Sequence, residues 1–215
     1  NLSMRDNFNL FLINGRIGST ALNLGKLLPE SGLNNISFNS NSDIKVGTHQ
    51  PMVAQTKIQI NTFGFRNYNY RNINIDGYFD PTIFSGKFRL DDPNCYLDFD
   101  GKISQIDKLK HFDFSADLRN LNLNKLNIID TRPDLTISFS TQSDFSGERW
   151  ATMEGYVNID SLHLINNQKE FFLNQLLLKA ENDSITAASI ESDIINRGIK
   201  GQYTLSALAD NFMDI

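Results

Sequence analysis

Three histidines and one cysteine are the residues best suited to catalysis or metal binding, and their positions favour neither. His49, His111 and His163 are far apart in the sequence, and none has a neighbour at the short spacing of a metal site. Cys95 directly follows a turn, without the helix start or basic neighbour that lowers the pKa of a thiol. We therefore expect surface histidines and a packed or half-exposed cysteine.

Other motifs with chemical potential are incomplete. The runs Asp98-Phe99-Asp100-Gly101 and Asn74-Ile75-Asp76-Gly77 resemble the start of a calcium loop, but they lack the further oxygen ligands and the distal Glu. The pair Gly25-Lys26 is followed by Leu27, where a phosphate loop needs Ser or Thr. We expect no metal, no cofactor and no enzymatic activity. A carboxylate pair that converges only in space stays open at this point.

Composition favours a single β-rich domain over residues 1–215. The 215 residues are 40% hydrophobic and 21% charged, and the 16 Phe and 6 Tyr favour strands over helices. A net charge of −5 without a basic block disfavours nucleic acid as a partner. The sequence contains no run of about 18 apolar residues, so it predicts no transmembrane helix. Because the chain does not begin with Met, we expect a segment of a larger repetitive protein.

Alternation of apolar and polar residues recurs along the chain. Ile73 and Ile75 alternate with asparagine and aspartate, and the same pattern runs through residues 112–119 and 134–140. Successive side chains of a strand point to opposite faces, so each run has one apolar and one polar face. This pattern is typical of antiparallel sheets with one solvated face, and the turn residues between runs predict strands of about 6–10 residues.

Two stretches and one repeat need a separate interpretation. Residues 20–28 fit a short helix or a strand, whereas residues 171–180 favour a strand, and we expect at most one or two short helices. Glycine followed by alternating apolar residues recurs at Gly86, Gly155 and Gly201. Glycine within a strand marks a bend or a close approach of two backbones.

An apolar sheet face must be covered, and helices are too few to cover it here. A second sheet, closure into a barrel and a curled open trough are the three solutions, and we expect the trough with an apolar inner face. A long open trough would bind acyl chains. The residues that we expect to line it are Ile73, Ile75, Phe88, Leu97, Phe99, Phe112, Phe114, Leu118, Ile137, Phe139, Val157, Ile159, Tyr203 and Leu205.

Residues 72–128 resemble the repeat-bearing region of the AsmA-like and TamB-type envelope proteins. The motifs that carry the resemblance are Ile73-Asn74-Ile75-Asp76-Gly77, Phe84-Ser85-Gly86-Lys87-Phe88, Asp91-Asp92-Pro93-Asn94, Leu97-Asp98-Phe99-Asp100-Gly101 and Asp117-Leu118-Arg119-Asn120-Leu121-Asn122-Leu123, followed by Leu126. A second block fits at Met153-Glu154-Gly155-Tyr156-Val157, Leu176-Leu177-Leu178, Ser192-Asp193 and Ile199-Lys200-Gly201-Gln202-Tyr203.

The resemblance implies a fold, a location and partners. Proteins of this family are anchored in the inner membrane of double-membraned bacteria and cross the periplasm as a curled β-taco sheet with a hydrophobic groove. They are associated with phospholipid transport to the outer membrane and, for the TamB type, with outer-membrane protein assembly beside a β-barrel partner. The chain would then be periplasmic, with membrane contact through segments outside it.

Two other functions stay open. An extracellular β-sandwich for adhesion or carbohydrate binding predicts a closed, dry core and an exposed aromatic platform. An enzyme with a spatially assembled site predicts clustered acids with shifted pKa values in a cleft.

Overall fold

The computed structural model describes residues 2–5, 10–47, 51–128, 135–148, 154–166, 169–181, 184–191 and 196–203. These residues form one antiparallel sheet of 13 strands and one short helix, α1 (Leu24–Leu27). The strands are β1 (Leu2–Arg5), β2 (Leu10–Asn23), β3 (Leu33–Gly47), β4 (Val53–Phe65), β5 (Tyr68–Phe79), β6 (Ile83–Asp92), β7 (Cys95–Ile106), β8 (Leu109–Asn122), β9 (Thr136–Gly147), β10 (Glu154–Asn166), β11 (Lys169–Glu181), β12 (Ser184–Glu191) and β13 (Asn196–Tyr203).

The order of the strands in the sheet is their order in the chain. Each strand pairs with the strand before it and the strand after it, so β1 and β13 lie at opposite edges. The sheet is curled and unclosed, and the prediction of an all-β, curled antiparallel sheet with few helices is confirmed. The described residues therefore form neither a barrel nor the two layers of a sandwich.

The strands are longer than the sequence predicted. Strands β2–β5 and β7–β11 have 12–15 residues, against the expected length of about 6–10. The shorter estimate was wrong. In β2, β3, β8 and β10 a register shift interrupts the alternation inside the strand, and such an interruption resembles a strand end. Residues 20–28 were expected to form a short helix or a strand, and they contain both: β2 continues to Asn23, and α1 follows. Residues 171–180 lie within β11, which confirms the predicted strand.

Directly opposed residues share a face of the sheet, and one apolar row crosses almost all of it. The row is Ile13, Ile44, Ala54, Phe79, Phe84, Ile103, Phe112, Phe145, Gly155 and Ala180. We call this side of the sheet the apolar face and the opposite side the polar face.

Bulges keep the apolar residues on the same face where a strand bends. The register of β8 shifts between Leu118 and Leu121, which are three residues apart instead of two, and both stay on the apolar face. Asn120, within that shift, has a φ of 53°, and Ser161 has a φ of 54° at the corresponding shift in β10. A bulge bends its strand and increases the local twist, which favours the curl of the sheet.

A cluster of buried apolar residues includes Leu118, at the bulge of β8. Ile60, Ile73, Leu90 and Leu118 form a cluster across β4, β5, β6 and β8, and the side chain of Leu126 completes it with 1% of its surface exposed. Leu126 belongs to the turn of residues 122–128, which folds back over the end of the strands. The backbone N–H of Leu126 donates to the Asn122 carbonyl at 3.1 Å.

Candidate functional site

The apolar face is the candidate binding site, and the sequence-predicted residues that the structure describes lie on it. One row contains Ile73, Leu97, Leu118 and Phe139, and the next row contains Ile75, Phe88, Phe99 and Ile159. Phe112, Phe114, Ile137 and Val157 occupy the flanking rows. The backbone of Tyr203 pairs with that of Ile185, which pairs with Ala180 at the end of the row that begins at Ile13. Leu205 lies outside the described residues.

Aromatic rings form a chain along the centre of this face. The ring centroids of Phe79 and Phe84 are 4.9 Å apart, those of Phe84 and Phe99 5.9 Å, and those of Phe99 and Phe114 5.3 Å. Phe145 continues the chain, with its centroid 6.4 Å from that of Phe114. Each ring comes from a different strand, so this chain of rings crosses the sheet instead of following one strand.

A row of glycines makes room for the rings. Gly77, Gly86 and Gly101 are directly opposed on β5, β6 and β7. A Cβ atom on Gly77 would lie 3.0 Å from a ring carbon of Phe84. Gly86 has a φ of +153°, a conformation that residues with a side chain rarely adopt. The close approach of backbones predicted at Gly86 is therefore present, and it is also present at Gly155, where a Cβ atom would collide with the carbonyl oxygen of Asp144.

Sequence reasoning missed several members of the apolar face. Phe79, Phe84 and Leu90 were not among the expected lining residues, although each continues an alternating run of a recognised strand. Phe145 was missed because small hydroxyl residues, Thr141 and Ser143, occupy the apolar-face positions before it on β9. The complete set emerges only from the register of the strands.

Hydroxyl groups interrupt the apolar face at two places. Ser40 and Ser42 are hydrogen-bonded on β3 at 2.6 Å, and Ser42 also bonds to Thr56 of β4. On β9, Thr141 donates to the carbonyl oxygen of Asn158 at 2.7 Å. Because each hydroxyl has a partner, its burial carries little penalty. The most continuous apolar surface lies between these positions, on β5–β8.

The apolar face has no protein layer over it in the described part of the chain. The strands pack against their neighbours in the sheet, and α1 contacts β3. Burial falls away from the cluster around Leu126: Ile103 is 36% exposed, Ile17 is 47% exposed and Phe171 is 53% exposed. The sheet and the turn of residues 122–128 enclose one part of the face and leave the rest accessible.

The buried carboxylate of Asp92 lies at the border of the enclosed part of the apolar face. Asp92 accepts hydrogen bonds from the Tyr68 hydroxyl, from the Arg71 backbone N–H at 3.1 Å and from the Asn94 backbone N–H at 3.0 Å. Burial, together with the bond to Asp92, raises the pKa of Tyr68 to about 12. Burial, with a smaller contribution from the charge of Asp92, raises the pKa of the Cys95 thiol to about 11. Cys95 is thus a packed, protonated thiol at neutral pH.

The histidines lie on the polar face, as the alternation predicted. Nε2 of His111 on β8 lies 2.9 Å from Oδ1 of Asp144 on the adjacent strand β9. Nε2 of His163 on β10 lies 3.2 Å from Oε2 of Glu170 on β11. His49 lies outside the described residues. Among the residues that the structure describes, no group of three or more His, Cys, Asp and Glu side chains could hold a metal ion.

The acids that resemble a calcium loop are also on the polar face. Asp76 pairs with Lys57 of the preceding strand at 2.9 Å, and Asp100 pairs with Lys87 at 3.1 Å. These are the alternating acids of a solvated strand face.

Comparisons with protein-family models, with curated proteins and with solved structures gave no match. The resemblance to AsmA-like and TamB-type proteins therefore stays a prediction from sequence motifs. Within the described ranges, no helix has the length and apolar character needed to cross a membrane.

Proposed function

We propose that the apolar face binds acyl chains and that the protein is a non-enzymatic, lipid-handling component of the bacterial cell envelope. The observation that carries the proposal is a continuous apolar row across a curled, unclosed sheet, with no second layer over it among the described residues. Exposed apolar patches of this kind mark binding surfaces in soluble proteins.

The chemistry of the face suits flexible hydrocarbon. Phe88, Phe99 and Leu97 present apolar side chains from adjacent strands, so a chain lying across the strands would contact one after another. Each methylene that leaves water contributes about 0.8 kcal/mol. A long acyl chain can therefore bind without any specific polar contact.

The motifs shared with AsmA-like and TamB-type proteins extend the proposal to a location and partners. On this basis the chain is periplasmic, its ligands are phospholipids that pass between the inner and outer membranes, and an outer-membrane β-barrel is a further partner in protein assembly. This extension rests on the sequence motifs, whereas acyl-chain binding rests on the apolar face.

Acyl-chain binding is tested by native mass spectrometry of the purified protein and by uptake of a fluorescent fatty acid. We expect copurified phospholipid and saturable uptake that unlabelled phospholipid competes away. A protein that carries no lipid and takes up no fatty acid would overturn the proposal.

Two neighbouring substitutions separate binding from folding. Phe114→Asp places a charge on the apolar face, and Ser115→Asp places the same charge on the polar face of the same strand. We expect the first variant to lose fatty-acid uptake and the second to keep it, with both folded by circular dichroism. If Phe114→Asp unfolds, Phe114→Ser replaces it. Equal uptake by the folded apolar-face variant and the control contradicts the proposal.

A further inference from the structure

The polar face carries a cleft of ≈ 820 Å³ on the side of the sheet opposite to the proposed acyl-chain site. It crosses β2–β7, which is a width of roughly 24 Å at the usual spacing of strands. This volume is within the range of about 300–1,000 Å³ typical of ligand sites. Polar and charged side chains of β2–β7 line it, together with Ile17, Ser40, Ile58 and Ile75, which alternate with them along β2–β5.

Two rows of side chains define the cleft. The first row has three cationic residues and one acidic residue and contains Arg16, Asn41, Lys57, Asp76 and Lys87. The second row begins at Gly18, beside which the side chain of Asn39 packs, and continues with Asn39, Gln59, Asn74, Arg89 and Asp98.

The cleft is positively charged in an acidic chain. Four Arg and Lys side chains and two Asp side chains line it, although the whole chain has a net charge of −5. Lys57 and Lys87 form exposed ion pairs, which are weak and exchange partners readily. In the part of the chain that the structure describes, Arg16 has no acidic partner within an ion-pair distance. Arg89 is held by the Tyr96 ring, with its guanidinium carbon 5.2 Å from the ring centroid.

We propose that this cleft binds a linear oligosaccharide that carries carboxylate groups. Arginine binds a carboxylate through two parallel hydrogen bonds, which assigns this role to Arg16 and Arg89. The side-chain amides of Asn39, Gln59 and Asn74 each offer donors and an acceptor, which is what sugar hydroxyls require. They lie on three adjacent strands, so they can contact successive rings of one sugar chain.

The same geometry disfavours other anionic polymers. The backbone groups on the floor of the cleft are already paired in the sheet, so an acidic peptide would gain no main-chain hydrogen bonds there. A nucleic acid is bound through many Lys and Arg contacts to its phosphates, whereas this cleft has four such side chains, two of which are already paired with aspartates. Asp76 and Asp98 can accept hydrogen bonds from sugar hydroxyls.

The test is calorimetric titration of the protein with a hexamer of galacturonic acid at low and moderate salt. We expect saturable binding that the double substitution Arg16→Gln and Arg89→Gln weakens at least tenfold. The matched control, Lys108→Gln with Lys110→Gln, removes the same charge at the β7–β8 turn, outside the cleft, and we expect a change of less than twofold. Urea unfolding verifies that both double variants are folded.

The proposal would be overturned by no binding of the hexamer, by equal weakening in the control pair, or by equally tight binding of poly-glutamate of the same charge. A neutral glucose hexamer is expected to bind more weakly than the acidic one, and equal affinity for both would also contradict it. Because the cleft and the apolar face are on opposite sides of the sheet, the cleft variants should take up fatty acid normally. The two proposals can therefore fail separately.

Discussion

The hydroxyl of Tyr68 donates a hydrogen bond to the carboxylate of Asp92, which follows it by 24 residues at the same end of the sheet. This bond joins the start of β5 to the end of β6. The side-chain amide of Asn94 donates to the same Tyr68 hydroxyl at 2.9 Å, so the turn between β6 and β7 belongs to the network as well. The polar network lies beside the apolar cluster that contains Cys95 and Leu126.

Asp92→Ala should destabilise the protein by about 2–4 kcal/mol. Its loss leaves the Tyr68 hydroxyl and the backbone N–H groups of Arg71 and Asn94 without their acceptor in a poorly solvated place. Equilibrium urea unfolding measures the effect. Asp91→Ala is the matched control, because Asp91 is exposed and adjacent in sequence, and we expect a change within about 0.5 kcal/mol. Similar losses for both variants would contradict the role of the network.

Leu126→Ala should cost about 2–5 kcal/mol of unfolding free energy, because Leu126 is almost fully buried and its truncation leaves a cavity. Leu126→Met keeps the volume and should cost less than about 1.5 kcal/mol. Ile128→Ala, in the same turn, removes an exposed side chain and should have little effect. Chemical unfolding of the three variants provides the ranking. If alanine and methionine at residue 126 are equally destabilising, the turn does not depend on packing.

Much of the fold could be predicted because alternation is a local signal. Ile73, Ile75 and Phe88 each belong to a short run in which the pattern of the chain specifies the face. The step from Leu118 to Leu121 breaks that pattern, and only the pairing with β9 shows that one strand continues through it. The predicted strands were too short for this reason.

Contacts between distant residues could not be predicted from such runs. Leu126 joins the core although it lies in a turn outside the strands, and the Tyr70 hydroxyl that donates to its carbonyl oxygen, at 3.3 Å, is 56 residues away. The polar cleft could not be predicted from local patterns either. Arg16 and Arg89 occupy ordinary polar positions on their own strands, and only the register across β2–β6 places them in one site.

Gly86→Ala should destabilise the protein by at least about 2 kcal/mol. A Cβ atom there would collide with the backbone of Asp76 and Gly77, and the φ of +153° strains any residue that has a side chain. Ser85→Ala alters the adjacent exposed residue and should leave the midpoint of urea unfolding unchanged. A folded Gly86→Ala protein with wild-type stability would show that the glycine row is not required for the close approach of β5 and β6.

Stability should fall as the pH rises above about 9, and Cys95 should account for part of the loss. The ordinary pKa of a thiol is 9.0, and burial raises that of Cys95 to about 11 in the folded protein. Between these values the unfolded chain has released a proton that the folded protein retains, so deprotonation favours unfolding. The stabilisation is complete below pH 9 and is lost as the pH rises through about 11, with a size on the order of 2 kcal/mol. Urea unfolding at pH 7.5 and pH 10.5 measures this loss.

Cys95→Ala provides the control for the alkaline effect. The variant should be less stable than the wild type at pH 7.5, because it loses a buried side chain, but its stability should depend less on pH between 9 and 11. Tyr68, whose pKa is raised from 10.0 to about 12, accounts for a further loss that begins near pH 10 and remains in the variant. Tyr68→Phe removes that second part, because phenylalanine does not titrate. If the free energy of unfolding falls by the same amount at high pH in the wild type and in Cys95→Ala, the pKa of the Cys95 thiol is not raised by burial.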